Sequence, residues 1–356
     1  MSKNSMTNVQ EAEEERPPLL SPELAAEGQL INRQDRVRYP IPAVLNILLV
    51  VAQMTAALAI LRAASVTTNF LTVCFVAVAF AFIMQLGFCL SHEAVHGKLH
   101  GWRRVNLGLG ILTFSLFPGS FHFFEIAHLI HHRRNRSDGE LEDYVLPSET
   151  PWLKRLMYYL LISGLFWLLI PLSSIAIAMI PKNSIRLPAP DENAGAFRRF
   201  AQFLNEVRPS RVRRDLFIAG LLWVVAVPFL HLKLSAILVC YSVFAFSWAS
   251  QQYVYHVRTP RHVVLGALDL RLWRPLEILY LHFNYHLTHH FAVWVPWIYL
   301  PGVAAERPSQ GYFRTYLGLW RPPELVDEAW PSAHQVSGPL PPRPEVEPVR
   351  SGNQGE

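Results

Sequence analysis

The sequence predicts an all-α integral membrane protein, with four transmembrane helices arranged as two hairpins and a helical cap on the cytoplasmic side. Three observations carry this expectation. Of the 356 residues, 51% are hydrophobic and only 17% are charged, against about 25% charged in ordinary soluble domains. The apolar residues gather in uncharged runs close to the ~20 residues that cross a bilayer core. Arginines collect in the segments between those runs, as in loops retained in the cytoplasm.

The first two runs, residues 40–61 and 66–90, are parted by a short stretch whose single charge is Arg62, and form the first expected hairpin. The second comprises residues 216–232, barely long enough to span, and 234–255, with Lys233 between them. Two other apolar stretches are interrupted. Residues 105–124 contain Gly108, Gly110, Pro118 and Gly119, and residues 156–180 contain Ser163, Gly164 and Pro171. Both are expected to be interfacial or re-entrant, without a net crossing. Arg16, Arg33, Arg36 and Arg38 precede the first hairpin, and Arg186, Arg198, Arg199, Arg208, Arg211 and Arg213 precede the second. Both groups are therefore expected in the cytoplasm, with both termini and the active site on that side.

The flanks differ in composition from this membrane domain, residues 37–320. Residues 1–36 are polar and acidic (Glu11, Glu13, Glu14, Glu15), which argues against a secretory signal, and residues 321–356 are rich in proline. Both are expected to be disordered. The three cysteines, Cys74, Cys89 and Cys240, lie in expected spans without CxxC spacing, and read as packing residues. A net charge of +5 arises mainly from arginines beside membrane segments. It points to anionic membrane lipids rather than nucleic acid.

The chemistry lies in the histidines. His92-Glu93-Ala94-Val95-His96 matches the HExxH pattern of zinc peptidases, whose two imidazoles project from one helix face with the glutamate as base. Two further clusters share one spacing: His128, His131 and His132 in HLIHH, and His286, His289 and His290 in HLTHH. At this histidine frequency one HxxHH arises by chance about 0.03 times per chain, so two are not coincidence. On a helix, positions i, i+3 and i+4 share a face, so each triplet is expected to present three imidazoles to one small volume. Eight imidazoles exceed the needs of one ion and suit two. Open positions beside imidazole favour iron, although zinc, copper and nickel also accept it. His231, His262 and His334 read as ordinary structural histidines, and His100 and His122 as tolerant of substitution. His282, four residues before His286, is a candidate supporting residue on the same face.

HEAVHG, HLIHH and NYHLTHH, in this order, resemble the three histidine boxes of the membrane fatty acid desaturase and hydroxylase superfamily, over residues 40–301. The resemblance implies a centre of two Fe ions, O2 as co-substrate, and oxidation of C–H bonds in a lipid acyl chain. A fatty acid desaturase is favoured. A lipid or carotenoid hydroxylase or ketolase is the alternative, and an intramembrane zinc metallopeptidase a remote one. It also implies a ninth imidazole just after the fourth span, matched by His256, with Gln252 four residues earlier where an amide is expected to reach metal through water. Glu93 is then an acidic neighbour orienting an imidazole. The acidic group Asp138, Glu140, Glu142 and Asp143 holds either imidazoles or neighbouring arginines. The chain has neither a dinucleotide fingerprint nor an iron–sulfur cysteine cluster, so a separate electron donor is implied: a ferredoxin, or cytochrome b5 with its reductase. Arg133, Arg134 and Arg136 either dock that donor or are ordinary charges of a cytoplasmic loop.

Overall fold

The computed structural model describes residues 39–181, 187, 201 and 203–326. Expectations for residues 1–36, for His334 and for most of the proline-rich tail lie outside the described residues.

The first hairpin is α1 (Ala43–Val66) and α2 (Phe70–Val95). Its turn lies at residues 67–69 rather than at Arg62. Arg62 sits half-buried in the last turns of α1, where its aliphatic stem can lie along apolar surface while the guanidinium reaches the interface. The turn forms where Thr67 becomes extended and the Asn69 side chain accepts a hydrogen bond from the Thr72 amide at 3.1 Å, capping α2. The second hairpin is α7 (Pro209–Phe229) and α8 (Leu234–Val254). The Lys233 amide at its turn donates to the Ser65 hydroxyl at 3.0 Å. Both hairpin turns therefore lie at one end of the bundle, and the chain leaves α2 and α8 at the other.

Among the described residues, α1, α2 and α8 are long and apolar enough to cross a membrane. The other limb of the second hairpin does not qualify. Its first two turns contain Arg211, Arg213, Arg214 and Asp215, leaving too short an apolar stretch for the bilayer core. The stretch 156–180, expected to be interfacial or re-entrant, belongs to a bent pair, either a broken span or a re-entrant segment. The helix α5 (Pro151–Ile162) and the segment Leu165–Ala178, which ends in α6 (Leu169–Ala178), qualify together, although bent by 71°. Gly164 makes the bend, with φ of +85°. The crossings thus number three, or four if the bent pair is one span.

The stretch 105–124 is likewise two helices, α3 (Arg103–Phe114) and α4 (Phe121–Arg134), parted at Pro118 and Gly119. Ser120 caps α4, accepting from the Phe123 amide at 3.3 Å. Buried Asp215 of α7 in turn accepts from the Ser120 hydroxyl at 2.9 Å and the His122 amide at 2.8 Å. The charged start of α7 thereby fixes the helix that carries the second histidine cluster.

Beyond α8 the chain forms short helices: α9 (Arg274–Leu279), α10 (His286–Phe291), α11 (Leu300–Val303) and α12 (Tyr312–Leu319). The tail expected to begin at residue 321 starts with structure. Strand β2 (Glu324–Leu325) pairs in parallel with β1 (Tyr144–Val145), and Arg258 bridges to Glu324 at 3.1 Å. Cys89 and Cys240 are buried and Cys74 half-buried, all as free thiols, consistent with packing roles.

Because a Cβ on Gly164 would lie 2.6 Å from the Ala245 carbonyl, Gly164→Ala meets both steric overlap and an unfavourable φ. We expect it to destabilise the protein by about 2 kcal/mol or more, seen as a lower thermal midpoint in detergent. An unchanged midpoint would show that this contact does not set the bend.

Candidate metal centre

The three sequence clusters and His256 meet at the end of the bundle opposite the hairpin turns. His92 lies in the last turn of α2 and His96 at its C-cap, where Gly97 takes a φ of +70° and ends the helix. His128, His131 and His132 occupy the C-terminal half of α4, and α10 carries His286, His289 and His290. His256 follows α8 in a turn closed by its own amide on the Tyr253 carbonyl at 3.1 Å.

These nine side chains form two groups: His92, His96, His128, His132 and His289; and His131, His256, His286 and His290. Within each, one nitrogen per ring lies within 4.8 Å of all the others. The HxxHH triplets are therefore not three-fingered claws, as their shared face suggested. Each is divided two to one. At 100° per residue, i and i+4 differ by about 40° and stay together, whereas i+3 and i+4 diverge by about 100°. So His128 and His132 enter one group and His131 the other. His286 and His290 likewise part from His289. The groups abut, with the His132 and His290 rings 4.3 Å apart.

The nitrogen chemistry fits a cation in each group. Adjacent imidazole nitrogens bound to one ion at ~2.1 Å stand about 3 Å apart. Here the Nε2 atoms of His96 and His128 are 3.0 Å apart, those of His128 and His132 2.9 Å, those of His132 and His289 3.2 Å, and those of His256 and His286 3.0 Å. The Nε2 atoms of His92 and His290 are buried without a protein partner. Burial first, and then neighbouring imidazoles, hold His128, His132, His286, His289 and His290 well below the usual histidine range. Burial does the same at His256. These rings are therefore neutral at ordinary pH, the form that ligates metal.

Two rings are gripped from behind. Glu140 meets His131 Nδ1 at 3.0 Å, and the Gly266 carbonyl accepts from His256 Nδ1 at 2.7 Å, leaving Nε2 of each as a lone-pair donor. A Cβ at Gly266 would lie 2.3 Å from Arg136 Cγ. Asp269 accepts from the Thr288 amide at 3.0 Å and from its hydroxyl, so it caps α10 and sets its orientation. The sequence reading missed Gly266 and Asp269. The α10 start lacks a local cap, and that absence was the one signal that a distant carboxylate supplies it.

Three of the candidate supporting residues do not bond to a ligand imidazole, and for Asp143 the arginine alternative is the one observed. Glu93 lies 3.8 Å from His92 Nδ1, too far for a hydrogen bond, and its other oxygen accepts from the Trp297 amide at 3.1 Å. It ties two segments together and is not placed as a peptidase base. Asp143 binds Arg136 at 2.6 Å and the Arg258 amide, rather than an imidazole. His282 lies before the first turn of α10 at φ of +53°, stacked on Trp297 at 5.7 Å, so it shares no helix face with His286. Gln252 is half-buried, with Nε2 lacking a protein partner.

His122 lies outside both groups, bonded to Glu125 at 2.8 Å. Arg136 is buried and Arg133 pairs with Glu206 at 2.6 Å, so the expected docking trio is not a free basic patch.

Residues 68–321 match the family model for fatty acid desaturase. The chain belongs to the fatty acid desaturase family. It is thus an enzyme of an oxidoreductase family, with membrane-crossing helices and two histidine groups able to hold metal. No curated protein matches it at a significant level. Within a desaturase-family chain the opening HExxH belongs to a larger histidine set and not to a three-ligand zinc site.

Glu140→Ala is expected to weaken metal binding about 10–100-fold while the helical content stays unchanged, measured by metal titration and circular dichroism. Asp269→Ala should do likewise, and Asp269→Asn, which keeps an acceptor oxygen, should recover part of the loss. Unaltered affinity in both alanine variants would remove these residues from the centre.

Proposed function

We propose that the protein is an O2-dependent di-iron oxidoreductase acting on C–H bonds of a lipid acyl chain, and read it as a fatty acid desaturase. The observation that carries this reading is the division of nine buried or half-buried histidines into abutting groups of five and four at the end of membrane-crossing helices. His92, His96, His128, His132 and His289 would hold one iron, and His131, His256, His286 and His290 the other. Two irons there would supply the activation of O2 that oxidation of an unactivated C–H bond requires.

The chain's own residues hold the site together and keep it apolar on the membrane side. Phe88, Phe124 and Trp248 lie one helical turn before His92 and His128 and two turns before His256, with Phe88 5.5 Å from each of the other two rings. They floor the histidine groups with aromatic surface that suits a hydrocarbon chain. Gln252, between Trp248 and His256 on the same helical face, offers an amide that water could bridge to the centre.

The histidine end is assigned to the cytoplasm on the arginine distribution. Electrons come from a separate ferredoxin, or from cytochrome b5 with its reductase. Hydroxylation or ketolation of a lipid or carotenoid is the second reading. The histidine set serves either outcome, because they differ in how the chain is held.

Expression in a host of defined lipid composition, followed by mass spectrometry of acyl chains and isoprenoids, tests the reading. New acyl double bonds are expected; oxygenated carotenoids with unaltered acyl chains would overturn it in favour of the second. The purified protein should carry two irons per chain. Alanine at any of the nine histidines should abolish turnover, and His256→Ala should also lower iron content. Gln252→Ala is expected to keep iron but slow the reaction. Two irons and near-normal activity in purified His256→Ala would exclude that residue as a ligand.

A further inference from the structure

One apolar surface lies outside both the histidine centre and the three long crossing helices, α1, α2 and α8. Helix α12 buries Tyr312, Thr315 and Leu319 and turns Phe313 (66% exposed) and Leu317 (72% exposed) outward, four residues apart on one face. Arg314 and Arg321 are exposed beside them. Helix α5 repeats the arrangement: Tyr158 and Ile162 face inward, while Trp152 (67% exposed), Leu156 and Met157 face out with Arg155.

The two helices are joined. Tyr158 donates to the Leu319 carbonyl and Tyr159 to the Trp320 carbonyl at 3.2 Å. Tyr158, Ile162 and Leu319 pack with Val257 in one apolar cluster just past the end of α8. The outward faces therefore move as one body with the end of a membrane-crossing helix.

We propose that the outer faces of α5 and α12 form a shelf seated in the headgroup region of an anionic lipid leaflet, at the histidine end of the spans. The occupant is decided by continuity with α8. Tyr316 of α12 lies 2.9 Å from the Ser250 hydroxyl, oxygen to oxygen, and Trp320 stacks on Phe246 at 5.6 Å. Both partners belong to the crossing helix, Phe246 about 12 Å of helix axis before its end. A helix docked there lies at the bilayer boundary, and its outward side chains extend the surface that Leu238 and Phe246 already present to lipid. With eight residues α12 cannot cross, so it lies in the interface. Arginines beside an apolar pair suit that depth: the stems lie on hydrocarbon and the guanidinium groups reach lipid phosphates.

The test uses the native chain reconstituted in mixed phosphatidylglycerol and phosphatidylcholine vesicles with a phosphatidylglycerol carrying a diazirine near its headgroup. After irradiation, lipid adducts are expected on peptides containing Phe313, Leu317, Trp152 and Leu156. Arg314→Gln and Arg321→Gln should each reduce the preference for phosphatidylglycerol over phosphatidylcholine adducts about fivefold. In a chain with its three cysteines replaced by alanine, a bimane on Phe313→Cys should be quenched by nitroxide lipids and shielded from aqueous iodide. Leu238→Cys serves as the deep reference. Adducts confined to the crossing helices, or iodide quenching equal to that of free dye, would overturn the proposal. A label shielded from both quenchers would mean that protein covers the face, which overturns it equally.

Discussion

The structure depends on holding nine imidazoles with their nitrogens turned toward one another. Two lone pairs at about 3 Å repel unless a proton or a cation lies between them, so these groups cannot be self-supporting. Their arrangement must be imposed from behind, by groups that grip the far side of a ring or fix the helix that carries it. Glu140 on His131 and the Gly266 carbonyl on His256 do the first. Asp215 at the start of α4 and Asp269 at the start of α10 do the second.

The remaining polar contacts at this end serve the same requirement by joining segments distant in sequence. Buried Asn46, at the start of α1, donates to the carbonyls of Lys98 and Leu99 and accepts from the Trp297 indole at 3.0 Å. It links the turn after the first histidine pair to the segment after the last. Asn106 donates to the Ala94 carbonyl at 2.8 Å and accepts from the Leu99 amide, fixing that turn from the other side. Asn135 reaches the Gly266 carbonyl at 3.1 Å, and Arg136 the Thr259 carbonyl at 3.0 Å. The second cluster is thereby tied to the segment that orients His256. In a membrane protein, spans gain little from apolar burial against one another, so directional bonds at their ends carry much of the specification.

The shelf formed by α5 and α12 gives the same end an apolar rim. If it sits in the headgroup layer, the histidine centre lies close to the bilayer surface, where an acyl chain can reach it without leaving hydrocarbon. The aromatic layer of Phe88, Phe124 and Trp248 lies between that hydrocarbon and the histidines.

The sequence alone determined the mostly helical class, the presence of two helical hairpins, and the nine histidines that meet, eight by spacing and His256 by resemblance. These features are local or periodic: apolar run length sets whether a helix can cross, and a 100° turn per residue sets which imidazoles stand together. Tertiary structure decided what periodicity cannot carry. It showed that the charged start of α7 caps α4, leaving too short an apolar stretch there for a crossing, and that Gly164 bends the 151–178 pair by 71° against Ala245. It brought the divided triplets of α4 and α10 together with His92, His96 and His256, so that each half is completed by residues from other segments. It also chose Glu140, Gly266 and Asp269 as the residues that grip the centre, since a partner 10 to 19 residues away, such as Gly266 for His256 and Asp269 for Thr288, is set by how loops cross and not by spacing.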